Sequence, residues 1–476
     1  MGRKVLLLYM SQFRFSANDP KIRTQTNEAA VRELKQYEEG PDCILALCSE
    51  RVRSEKTVTL PDGTARTTLE YFRDVFLPAM QIPAEQLVVI PVPDSMDDTA
   101  QFHAISQLLG YIESGDTLSI DLSGGLRDTA MLLITAARCM RDLRHVDTRR
   151  VIYAELLPDG KTRVHDSSEL YSLFDLITAM DEFFSTGTAR KLKCYLRQEG
   201  ENAPALHILL ARINQFSDDL ALCRVQALGE DLARIGQALQ AAPRESQNLN
   251  GLFFNLLGDR FRTEFEGLLR SAEDTLPALV RWCTDHGMYQ QALTLLCEKM
   301  PAYVCSHLFV QPTRKGWDYM AEQKQNGGKA WVYPLFHFHF CRMALLQYEY
   351  PYTADLRLTR SKADADGNML YGVANAGEMH TYLSRALEKE ELVIDPAVRR
   401  QIEEAGLFYQ QVMQYRNQIN HANDNTYRMQ SERILPLDVE SIRQTLQDVA
   451  DHLAEIAPMK PKAPAGGEVI PVTKKL

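Results

Sequence analysis

Short apolar runs alternate with amphipathic stretches over residues 1–175, after which the pattern becomes almost wholly helical. Buried-strand patterns occupy residues 5–9, 43–47, 87–92, 118–122 and 151–155, each a short apolar run. Helical spacing fills 26–38, 66–79, 98–114 and 127–142 between them. Strands alternating with helices predict a parallel, Rossmann-like α/β sheet. Pro61-Asp62-Gly63 and Pro158-Asp159-Gly160 predict tight hairpin turns, since proline presets one backbone angle and glycine frees another.

Helical periodicity then covers 170–184, 188–199, 203–213, 217–241, 261–272, 275–286 and 288–300. Gly327-Gly328 interrupts it, 355–373 reads as a β-hairpin around Asp366-Gly367, and helices resume at 376–391, 396–421 and 438–456. In the last of these Val439, Ile442, Leu446, Val449, Leu453 and Ile456 form one apolar face, predicting packing against the 396–421 helix. The fold class expected is therefore α/β plus all-α. An α/β domain spans 1–175, a helical connecting region 176–335 and a helical core 336–456. Residues 457–476, with four prolines and four lysines, are too poor in apolar residues for a core and are expected to be a disordered tail.

One position breaks the apolar pattern of the 396–421 helix. Val398, Ile402, Ala405, Tyr409 and Val412 recur at spacings of 4, 3, 4 and 3, after an Asp395-Pro396 start signal. The same spacing next reaches Arg416 and then Ile419. A guanidinium cannot deprotonate to escape burial, so it needs a carboxylate, a phosphate or a wet cleft. Five residues on lies His421, the side chain best suited to proton transfer near neutral pH. Arginine for phosphate and histidine for protons point to RNA cleavage. The other reading is a structural arginine paired with a core glutamate such as Glu298, and a helix-terminal histidine. Arg138/His145 and Arg281/His286 have similar spacing, but neither arginine interrupts an apolar stripe and neither is followed by a polar run.

Net charge and cysteines narrow the function. A formal charge of −10 argues against a broad duplex-coating surface, though not against a local single-strand cleft. Nine scattered cysteines without a C-x-x-C pair signal neither a zinc ribbon nor a redox couple, and suit a reducing cytoplasm. The apolar start, Val5 to Tyr9, is too short for a signal-peptide core, and no stretch is long enough to span a bilayer. A cytoplasmic protein is expected.

A second constellation follows the 118–122 strand. Asp121-Leu122-Ser123-Gly124-Gly125-Leu126-Arg127 opens the next helix. Glycines there admit close backbone approach, the helix start favours anions, and Ser123 and Arg127 add donors. Ser11 and Gln12, after the first strand, reach the same sheet edge, where open α/β sheets bind ligands. Neither a G-x-G-x-x-G fingerprint nor a Walker loop is present. Asp364 to Asn368 has calcium-loop spacing, but Asn375 stands where that loop needs glutamate. His337 and His339 have no third ligand in view.

Together the two constellations resemble the CARF–HEPN ribonucleases of type III CRISPR systems. Asp121, Ser123, Gly125 and Arg127 match the aspartate–x–threonine/serine–x–glycine–x–arginine/lysine turn of their Rossmann (CARF) domain. Arg416, Asn417 and His421 match their helical HEPN motif, in the expected domain order. Ser123-Gly124 replaces the threonine–histidine of some members, leaving open whether the Rossmann domain degrades its own ligand. The resemblance implies a homodimer whose Rossmann domains bind a cyclic oligoadenylate at Ser11, Gln12, Asp121, Ser123, Gly124, Gly125 and Arg127. It further implies metal- and cofactor-independent cleavage of single-stranded RNA by 2′-hydroxyl attack. Arg416 would stabilise phosphorane charge, His421 transfer protons and Asn417 orient the backbone. A nucleotide-sensing regulator with an inactive helical interaction domain is the alternative.

Overall fold

The computed structural model describes residues 2–15, 23–38, 40–125, 127–157, 161–198, 204–240, 249–269, 275–316, 318, 361–363, 369–371, 380, 383–384, 386–420, 427–428, 434–435, 438–457 and 459. The chain divides into two compact units, Met1–Asp175 and Leu176–Leu476.

The first unit is a six-stranded sheet flanked by helices. Its elements are β1 (Lys4–Tyr9), α1 (Asn27–Glu38), β2 (Cys43–Cys48), β3 (Leu87–Pro91), α2 (Asp98–Leu109), β4 (Thr117–Asp121), α3 (Arg127–Arg144), β5 (Asp147–Leu156) and β6 (Thr162–Asp166). The strand order is β6-β5-β4-β1-β2-β3. All neighbours are parallel except β5 and β6. This is the Rossmann order with an antiparallel edge. The strands read as continuous apolar runs because both faces are covered. Val5, Leu7, Tyr9, Leu45 and Leu47 face α2 and α3, whereas Leu6, Leu8, Ile44 and Ala46 face α1 and the 69–82 segment.

Two predicted boundaries move, each for a visible reason. Arg66 belongs to a hairpin pairing Val58–Thr59 with Ala65–Arg66 across the Pro61-Asp62-Gly63 turn. The helix after it starts at Thr68, capped by Thr67 and Glu70 reciprocally, and passes through a π-turn at Phe72–Phe76. The 98–114 helix stops at Leu109, because Asp116 folds the chain back, accepting from the backbone N–H groups of Glu113 (3.0 Å) and Arg3 (3.0 Å). The second hairpin's strands pair as expected, its turn at 158–160 lying outside the described residues.

The second unit is helical. It contains the C-terminal part of α4 (Ser168–Thr186), then α5 (Arg190–Gln198), α6 (Pro204–Ala221), α7 (Leu228–Gln240), α8 (Leu249–Leu269), α9 (Thr275–Asp285), α10 (Tyr289–His307), α11 (Arg399–Asn420) and α12 (Val439–Ile456). The short strands Ser361–Ala363 and Met369–Tyr371 form the predicted hairpin. One continuous apolar core runs through these helices, and α12 lies against α11 and α9. Of the predicted tail, Ala457 and Met459 rest on that core; the remainder lies outside the described residues. Among the described residues no helix is long and apolar enough to cross a membrane.

The break expected between 213 and 217 is absent, because α6 continues to Ala221. Ser217 there is buried, its hydroxyl donating to the Gly187 carbonyl (3.0 Å) and accepting from the Ala189 N–H (3.1 Å). The turn comes later, at Cys223, which has a positive φ of 52°. Arg224 beyond it binds Asp219 at 3.0 Å.

That turn brings two buried carboxyls together, Asp219 on α6 and Asp231 on α7. Hydrogen bonds from Gln215 and Arg224 hold Asp219 below the usual carboxylate range. Burial and the hydrogen-bonded Asp219 push Asp231 up to about 6. A raised carboxyl pKa stabilises the fold least when the group is charged. The penalty is absent below the unfolded value near 3.8 and complete above about 6. Asp231→Asn is therefore expected to raise stability at pH 7.5 by about 2–3 kcal/mol, the gain vanishing near pH 4. Thermal melts of both proteins across this range check the sign; equal shifts at both ends would refute it.

Candidate functional site

The strand order creates a crevice. From β1 the chain winds outward through β2 and β3, and from β4 it winds the other way through β5. The carboxyl ends of β1 and β4 thus flank the topological switch point, where doubly wound sheets bind ligands. Leu8 pairs with Asp121, so the segments after the two strands, Ser11-Gln12 and Ser123-Gly124-Gly125, emerge side by side.

Asn27, at the start of α1, ties them together. Its side-chain nitrogen donates to Asp121 Oδ2 (2.6 Å) and to the Tyr9 carbonyl (3.2 Å). Its oxygen accepts from the Ser11 N–H (2.8 Å), the Ser11 hydroxyl (3.0 Å) and Gln25 Nε2 (3.2 Å). Thr26 donates to Ser11 Oγ at 2.9 Å. On the other side, Asp121 Oδ1 accepts from the Ser123 N–H (2.9 Å) and from the Ser123 hydroxyl. Ser123 Oγ in turn accepts the Ala154 N–H of β5 at 2.7 Å.

This network engages several of the residues expected at the ligand site. Asp121 has 0% exposure, and its carboxylate holds the loop through Asn27 and Ser123. Burial pushes its carboxyl up, opposed by the hydrogen bonds from Ser123 and Asn27. The Ser123 hydroxyl is likewise occupied within the fold. Gly124 is buried, and a β-carbon there would collide with the Tyr9 carbonyl oxygen. Gly125 has φ +84°, and a β-carbon would strike Thr129, whose hydroxyl donates to the Gly124 carbonyl at 3.0 Å. Facing outward are Gln12, Gly125 and, in part, Ser11. Arg127 is the first residue of α3, so the loop presents the helix's first turn of N–H groups beside it. An anion fits such an end. The side chain of Arg127 lies outside the described residues.

Beside the loop, toward α2, is a cavity of about 80 Å³ whose lining includes Tyr9, Asp94, Gln101, Asp128, Thr129 and Leu132. The Arg51 N–H donates to Asp94 at 3.1 Å, and this bond holds Asp94 below the usual carboxylate range.

In the helical unit, Asp395 caps the predicted start by accepting from the Ala397 N–H at 2.9 Å. Val398, Ile402, Ala405, Tyr409 and Val412 are all buried, as the stripe predicts. After Val412 the buried position passes to Tyr415 (1% exposed), and Arg416 sits half-buried beside it. Three residues on and four residues on lie at similar angles from the stripe centre, and the core takes the ring. The Arg416 guanidinium lies at the thiol of Cys297 on α10, whose pKa burial pushes up to about 11 against the pull of that arginine. Near neutral pH Cys297 is therefore an uncharged thiol. Tyr409 reinforces the junction, donating to the Cys297 carbonyl at 3.1 Å. Gln290 reaches Asn420 at 3.1 Å. His421, the side chain of Asn417, His337, His339 and Asp364 to Asn368 lie outside the described residues.

The two other arginine–histidine pairs have structural partners. Arg138 binds Asp175 at 2.6 Å and Arg281 binds Asp451 at 2.6 Å. The His286 side chain is 6% exposed and lies 3.2 Å from Glu264, its ring centroid 4.0 Å from that of Trp282 at a 30° tilt.

No protein-family model and no curated protein matches this chain. Among solved structures it aligns with Enterococcus italicus Csm6 bound to cyclic hexa-2′-fluoro-hexa-dAMP. The identity is 13%, over 96% of this chain and 95% of that one, with a TM-score of 0.29.

Sequence reading missed Asn27, Gln25, Thr26 and Thr129. Asn27 carried a usable signal: an asparagine opening a predicted helix is a polar residue that needs partners. Its partners, 16 and 94 residues away, carried none.

Proposed function

We propose that the N-terminal unit senses a cyclic oligoadenylate and that the helical unit is a single-stranded RNA endoribonuclease under its control, of the type III CRISPR antiviral kind. The observation that carries the sensor half is the Asn27-bridged pair of loops at the β1/β4 switch point. This is a rigid, glycine-lined edge next to a helix start, suited to a phosphodiester ring. The ribonuclease half rests on the motif Arg416, Asn417, His421 and on the half-buried place of Arg416 on α11. In this reading two copies assemble so that paired Arg416 and His421 line one cleft. His421 moves the 2′-hydroxyl proton, Arg416 stabilises charge on the reacting phosphorus, and no metal is required. The setting is cytoplasmic.

The Arg416–Cys297 contact also favours a second reading, in which Arg416 is a structural arginine and the helical unit an interaction module. One assay separates them: labelled single-stranded RNA in EDTA, with and without cyclic tetra- and hexa-adenylate, using wild type and His421→Ala. Ligand-dependent cleavage by wild type alone is expected. Ligand binding without cleavage would leave the sensor and discard the nuclease.

A further inference from the structure

Just past the end of α9, His286 faces an acceptor at each ring nitrogen. Its side chain is 6% exposed. Nδ1 lies 2.6 Å from the Trp282 carbonyl oxygen, which only accepts, so Nδ1 carries a hydrogen. Nε2 lies 3.2 Å from Oε1 of Glu264 on α8, a bent ion-pair contact, and among the described residues no other partner reaches that nitrogen. A neutral imidazole has a single N–H. With that hydrogen on Nδ1, the neutral ring would turn a lone pair toward a carboxylate inside the protein. The imidazolium instead sets opposite charges side by side.

The same carboxylate braces Trp282. Glu264 Oε1 accepts the indole N–H at 3.0 Å, and the imidazole centroid lies 4.0 Å from that of the indole. The indole is in turn the seat of Gly187, the residue that closes α4. A β-carbon at Gly187 would stand 2.7 Å from indole Cη2. Gly187 has φ +67° and donates its N–H to the Phe183 carbonyl at 2.7 Å. α4 therefore ends on a ring whose own position depends on His286 and Glu264.

Few other charges bear on the pair. From α8, Arg260 lies 3.9 Å from Glu264 Oε2. On α9, Asp285 acts on His286. From α12, Asp451 is held by Arg281 at 2.6 Å and Arg443 acts on Asp285. α4 and α6 present the rings of Phe183 and Phe216 to the indole, and Met288, ahead of α10, lies beside Gly187. Burial opposes charge on His286, yet the Glu264 carboxylate and the Trp282 carbonyl hold its pKa above the ordinary value. His286 in turn holds Glu264 below the usual carboxylate range.

We propose that His286, Glu264 and Trp282 form a proton-operated clasp on the end of α4, closed while the pair is charged and loosened when its proton leaves. The clasp depends on neither the ligand nor the nuclease reading above. A histidine raised by folding stabilises fully below its unfolded value, about 6.5. That contribution is lost as pH rises through the folded value. The clasp is thus closed in mild acid and opens toward alkaline pH.

The test is a pH titration of the full chain, with Trp317→Phe and Trp331→Phe leaving Trp282 as its one tryptophan. A charged imidazole against an indole quenches fluorescence, so emission is expected to rise with a midpoint above about 6.5. Glu264→Gln is expected to move that midpoint down by about one pH unit or more, because burial then acts unopposed by the carboxylate. His286→Gln is expected to abolish it. In parallel, hydrogen exchange of wild type, corrected for the intrinsic rate at each pH, reads the end of α4. Amides of residues 183–187 are expected to exchange about tenfold faster at pH 8.5 than at pH 6. A wild-type midpoint at or below the ordinary value, or one that Glu264→Gln leaves in place, would overturn the charged pair. Exchange at 183–187 that ignores pH would overturn the clasp. Wild type alone decides both points if a variant fails to fold.

Discussion

Replacing Gly124 with alanine is expected to cut cyclic oligoadenylate affinity by about 50-fold or more, the binding equivalent of roughly 2–3 kcal/mol. The β-carbon would meet backbone, the Tyr9 carbonyl oxygen, with the Asn27 amide close by. A backbone oxygen at the end of a central strand cannot swing aside as a side-chain tip can. The loop after β4 must therefore move, at a cost of about 1–3 kcal/mol in stability. Its movement breaks the register between Ser123, Asp121 and Asn27 on which the two loops depend. Gly63→Ala is the matched comparison. That glycine has φ +86° but nothing within 4 Å of its β-carbon position, so it pays about 1 kcal/mol of backbone strain and leaves ligand affinity unchanged. Calorimetry and thermal melts of the two variants check both halves; equal loss of affinity in both would show that the loop's close approach is irrelevant to binding.

Arg416→Ala is expected to lower ligand-stimulated RNA cleavage by about 10²–10³-fold, the typical loss when one donor to a developing oxyanion is removed. Arg416→Lys is not expected to rescue it, because an ammonium lacks the planar fork that spans two phosphate oxygens. The contact with Cys297 supplies the control. If Arg416 acts only as a packing element on α10, then Cys297→Ala should disturb cleavage about as much as Arg416→Ala does. If the guanidinium acts on RNA, Cys297→Ala costs stability and keeps cleavage. Single-turnover rates of the three variants at saturating ligand decide this, and wild-type cleavage by Arg416→Ala would sink the catalytic role.

The two sites differ in how much of them was legible. Around Asp121 the strand, glycines and helix start could be read directly, because a buried parallel strand is an uninterrupted apolar run and a turn against backbone demands glycine. The roles were not legible. Asp121 and Ser123 look like ligand groups by chemistry, yet their hydrogen bonds are spent on Asn27, Ala154 and each other. In the helical unit the stripe Val398 to Val412 was correct residue by residue. At its end the sequence offered Arg416, and packing chose Tyr415.

Local pattern thus determined the elements of this protein and the faces they bury, because periods of two and 3.6 residues are properties of the chain itself. It also determined which short segments carry donors, glycines and charges. Only the tertiary structure decided the strand order that sets β1 beside β4, and with it the meeting of Ser11, Asn27 and Asp121. The same holds for Arg416 against Cys297 and for Asp94 and Asp128 around one cavity. These are pairings across tens to more than a hundred residues, selected by which surfaces bury most together, and no local spacing records them.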